Sequence, residues 1–76
     1  MTPELRTFYW DFFGPTAERT AAHFKQHLDQ FLSKNELFGC ETGVASEQPG
    51  HFAAFCRTPA QVQDSIARSL RPQRAL

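Results

Sequence analysis

Apolar and polar positions change rhythm several times along the chain, and each change marks an element. Leu5 to Phe13 is dense in aromatic and β-favouring residues and is ended by Gly14-Pro15, which predicts a first strand. Alternation places Phe8, Trp10 and Phe12 on one face and Thr7, Tyr9, Asp11 and Phe13 on the other. From Thr16 to about Lys34 the period lengthens. Ala17, Ala21, Phe24, Leu28, Phe31 and Leu32 form one stripe, with Arg19, Lys25, Gln26 and Asp29 opposite. This predicts a helix that Pro15 and Glu18 favour at its start and Asn35 stops.

Alternation returns in Phe38 to Ser46, where Phe38, Cys40, Thr42 and Val44 share a face. Glu47-Gln48-Pro49-Gly50 signals a turn, and His51 to Arg57 alternates again, with Phe52, Ala54 and Cys56 on one side. A hairpin pairing Val44 with Phe52, Thr42 with Ala54 and Cys40 with Cys56 gathers these apolar residues on one face, as register selection requires. A second helix then follows. Thr58 is a candidate cap, Pro59 the first position, and Gln61 the return partner of a capping box. Val62, Ile66 and Leu70 form its stripe, Arg68 and Arg71 suit its negative end, and Pro72 stops it.

The order is strand, helix, strand, strand, helix. It predicts an α+β, two-layer sandwich: a three-stranded antiparallel or mixed sheet with both helices on one face. That is a ferredoxin-like arrangement truncated of its last strand, with the first strand pairing antiparallel to the third and left as an open edge. One domain spans residues 1–72, and 73–76 read as a frayed tail.

Size changes the picture next. In a chain of 76 residues a single core rarely supplies more than ~3–5 kcal/mol, and two Cys make no disulfide framework. Help from a partner subunit is therefore expected. Eight basic residues balance eight acidic ones, so the basic excess of phosphate-backbone binders is lacking. No signal peptide and no spanning apolar run is visible, which points to a cytoplasmic protein without membrane association. Cys40 and Cys56 read as small buried hydrophobes in that reducing setting.

Candidate chemistry concentrates on the sheet face that no helix covers. Tyr9, Asp11 and Phe13 of the first strand and His51, Phe55 and Arg57 of the third project there. An aromatic patch beside small residues suits a contact surface. The expectation is a small non-enzymatic interaction module, homodimeric through this open face or the first-strand edge, with a protein partner also in view. The alternative is a small ligand, or single-stranded nucleic acid stacked on the aromatics; zero net charge disfavours nucleic acid. His23 and His27, four apart on the first helix, share a side and are weak metal candidates; a solvated pair is the simpler reading, and no cofactor is implied. Phosphate-binding glycine loops and nucleophile motifs are absent, so enzymatic activity is not expected.

Overall fold

The computed structural model describes residues 5–75. Its elements are β1 (Leu5–Phe13), α1 (Ala17–Lys34), β2 (Glu41–Gln48), β3 (His51–Pro59), α2 (Ala60–Leu70) and β4 (Arg74–Ala75). The sheet is four-stranded in the order β2-β3-β1-β4, and every pairing is antiparallel. It therefore has one strand more than the three expected. Arg74–Ala75, read as part of a tail, lies beside Phe8 and Tyr9; Leu76 falls outside the described residues. The middle of the β1 edge is thus covered rather than open.

Both helices lie on the face carrying Phe8, Trp10, Ala54 and Cys56, which pack with Leu28 and Leu32 of α1 and Ile66 of α2. The predicted α1 stripe does this work: Ala17, Ala21, Leu28 and Leu32 are buried, while Phe24 and Phe31 pack against the cluster. Trp10 meets Phe24 at a centroid distance of 5.1 Å. Its indole N–H, which needs a partner once buried, donates to the Leu70 carbonyl at 2.9 Å. Asn35 stops α1 as expected, its side chain donating to the Phe31 carbonyl at 2.8 Å.

Three local expectations are corrected. The hairpin pairs Val44 with Ala54, Thr42 with Cys56 and Ser46 with Phe52, two residues away from the anticipated register. The cause is a tighter turn: a bulge between Ser46 and Gln48 lets the strands run up to Pro49-Gly50. Phe38 precedes β2 and is exposed rather than sharing the core face. Thr58 does not cap α2. It pairs with Arg6 inside the sheet, is fully buried, and its hydroxyl donates to the Pro59 carbonyl at 3.0 Å. The strand continues two residues past Arg57, so α2 begins at Ala60 without a side-chain cap.

Candidate functional site on the open sheet face

The site is built by β1 and β3, whose antiparallel register sets Tyr9 opposite Phe55, Asp11 opposite Ala53 and Phe13 opposite His51. Odd-numbered side chains of both strands share the helix-free face, as the pleat dictates. Three of the predicted residues, Asp11, Phe13 and His51, meet at one end. His51 stacks on Phe13 with ring centroids 4.3 Å apart and planes 20° apart. Its Nε2 lies 2.8 Å from Asp11 Oδ1. Tyr9 and Phe55 sit alongside at 6.4 Å. Arg57 is not part of this group: it lies toward the other end of the sheet, opposite Glu41 on β2, with 4.0 Å between the charged atoms.

The structure adds residues that sequence reasoning missed. Arg74 of β4 grips Asp11 with two hydrogen bonds, Nε to Oδ2 at 2.8 Å and Nη2 to Oδ1 at 2.7 Å. Such bidentate, charge-assisted pairs are the strong ones. The same guanidinium reaches Glu47 at 3.4 Å and lies 4.5 Å from the centre of the Tyr9 ring, within cation–π range. Gln73 completes the attachment: its backbone N–H donates to the Tyr9 carbonyl, and its side-chain oxygen accepts from the Asp11 N–H, each at 2.9 Å. The one available signal was an Arg beyond Pro72 able to answer the lone carboxylate of β1.

Asp11 is mostly enclosed, with 8% of its side chain exposed. Arg74 holds its carboxyl below the usual carboxylate range; burial opposes this and His51 reinforces it. Asp11 in turn pushes the Arg74 guanidinium up. The centre of the face is therefore an internally neutralised ion cluster framed by aromatic rings.

The aromatics differ in exposure, and the difference has a local cause. Phe55 lies across β2 at Gly43, where a Cβ would come within 2.5 Å of its ring. It fills the space its own chain leaves, so that glycine gives no separate seat for another surface. Ala53, between Asp11 and Ala45, is fully buried. Phe13 instead is 71% exposed, and Gly14 beyond it, at φ +106°, turns the chain toward α1 while its N–H bonds the Gly50 carbonyl at 2.9 Å. Two open grooves, of 570 and 260 Å³, lie elsewhere, around Phe31, Leu37 and Arg68 and around Leu32, Phe38 and Cys40.

The remaining candidates stand apart. Cys40 and Cys56 are free thiols; burial pushes Cys40 up and Cys56 up to about 12, which favours the thiol over the thiolate. His23 and His27 pair on the exposed side of α1, with Nε2 atoms 3.0 Å apart. Among the described residues no three His, Cys, Asp or Glu side chains gather into a metal site, and no helix is long and apolar enough to cross a membrane. No family model matches the chain, and no curated protein or solved structure is significantly similar to it.

Proposed function

We propose that this chain is a small, non-enzymatic interaction module that forms a two-fold homodimer through its helix-free sheet face. The observation that carries the reading is the combination found there: exposed Phe13 and half-buried Tyr9 and Phe55 beside an Asp11–Arg74–His51 cluster whose charges already satisfy one another. Covering a lone carboxylate would cost several kcal/mol, whereas this one carries its partners with it. A second copy supplies the same aromatic row and the same internally paired cluster, and the two chains carry no net formal charge to hold them apart.

The strand order, with both helices on one side, supports a ferredoxin-like sandwich in which the described part of the last strand is two residues long. Such a sheet keeps one face bare unless another chain covers it. The free thiols fit a cytoplasmic setting. Single-stranded nucleic acid is the weaker reading of the same surface, because Arg74 is engaged by Asp11 and Glu47, and Glu41 stands near Arg57. The Arg74 guanidinium is therefore not free to release counterions from a phosphate backbone, and a carboxylate beside Arg57 opposes a phosphate there.

Sedimentation equilibrium at micromolar concentration tests the proposal. The wild-type chain is expected to be a dimer, and the paired substitution Tyr9→Ser with Phe13→Ser a folded monomer with an unchanged circular dichroism spectrum. A monomeric wild-type chain overturns it.

A further inference from the structure

His23 and His27 lie one turn apart on α1, and both are exposed. Their Nε2 atoms are 3.0 Å apart, their ring centroids 4.6 Å apart, and their planes 69° apart. The helix beneath them is held to the sheet by Ala17, Ala21, Leu28 and Leu32 on its other side, so the spacing of the two Cα atoms is fixed by a packed element. We propose that His23 and His27 form a bidentate surface site for a divalent transition-metal ion with square or tetragonal preference, copper(II) or nickel(II).

The separation of the two nitrogens is compatible with that choice of ion. Imidazole nitrogens bind such ions at about 2.0–2.1 Å. Two nitrogens 3.0 Å apart then subtend about 90° at an ion that distance away, the angle between adjacent corners of a square. A tetrahedral zinc(II) ion wants about 109°, which would require the nitrogens to part to about 3.4 Å. The intrinsic affinity order of divalent ions runs the same way, with copper(II) strongest.

The hydrogen-bonded pair is also chemically prepared. One Nε2 already presents a lone pair to the other, which carries the proton. Binding requires only that this proton move to the same ring's Nδ1, through water, leaving two neutral rings with both Nε2 lone pairs free. Both rings are solvent-exposed and free to turn toward a shared ion. The residues one turn away on the helix are Arg19, Thr20, Phe24, Gln26, Gln30 and Phe31. None is a carboxylate, so water completes the coordination and the ion exchanges with solution. The site is independent of the sheet face, which uses neither histidine.

The test is a titration of the full chain with copper(II) chloride in a non-coordinating buffer, followed by calorimetry and by electron paramagnetic resonance. One copper per chain with two imidazole nitrogens is expected. His23→Ala and His27→Ala should each weaken binding by about a hundredfold or more, because each removes the tethered second ligand. Gln30→Ala should leave it unchanged. Zinc(II) should bind more weakly than copper(II). No saturable binding, a single nitrogen ligand, one ion per two chains, or undiminished binding by the His23→Ala/His27→Ala chain would each overturn the assignment. Circular dichroism of the variants separates loss of ligands from loss of the helix.

Discussion

Along β1, neighbouring side chains turn to opposite faces and enter different chemistry. On the covered face, Phe8 and Trp10 disappear beneath α1 and α2, and the polar groups there are few and bonded, chiefly the Trp10 indole N–H and the Thr58 hydroxyl. On the bare face, Tyr9, Asp11 and Phe13 remain within reach of solvent and are tied together by ion pairs and ring contacts. The comparison separates two ways of ordering a sheet. Burial of alkyl and aromatic surface supplies most of the cohesion on one side. On the other, directional contacts fix geometry while leaving surface available.

The largest effect is expected where the covered face is deepest. Ile66→Ala should cost ~2–5 kcal/mol, close to the whole stability of so small a domain, so urea unfolding followed by Trp10 fluorescence should show a mostly unfolded population. A loss under ~1 kcal/mol would mean that α2 contributes little to the core.

An intermediate effect is expected at Asp11. Asp11→Asn should cost ~1.5–3 kcal/mol, the range of hydrogen bonds to charged groups, and should loosen β4, visible as faster amide exchange at Tyr9 and Asp11. It should also alter the acid limb of the stability curve. Because the folded pKa of Asp11 is depressed, its contribution is fully present above the unfolded carboxylate value of about 3.9 and is lost as pH falls through the lower folded value. The Asn variant should lack that part of the acid loss; an unchanged limb would show that Arg74 does not grip the carboxylate in solution. Asp29, held down by Lys25 and Thr42, keeps its own contribution in the variant.

The smallest effect on stability is expected at the most exposed aromatic. Phe13→Ser should change the stability of the dissociated protomer by no more than ~0.5 kcal/mol, measured at a concentration below that of self-association. A larger loss would place Phe13 in the folding core rather than on a contact surface.

Much of this division was legible in the sequence because alternation is a local property. The hairpin register is shifted by two residues from the expected one, yet the side chains within the paired strands keep their faces, since a shift of two preserves the period of a strand. The bulge at Glu47 and the buried position of Thr58 depend on pairing across strands, which turn and cap signals do not carry. At the site, Tyr9, Asp11, Phe13, His51 and Phe55 could be placed together by parity alone. Arg74 could not: two residues give no period to read, and its partner Asp11 is 63 positions away.

That separation has a consequence during synthesis. The carboxylate of Asp11 emerges from the ribosome long before Arg74 has been added, and until then β1 shows unpaired backbone groups at Phe8 and Tyr9 to whatever is near. A nascent chain in this condition is open to pairing with the wrong strand. Arg74 and Ala75 are made after every other described strand and close the border of β1, so a chain shortened before Arg74 would keep that border sticky.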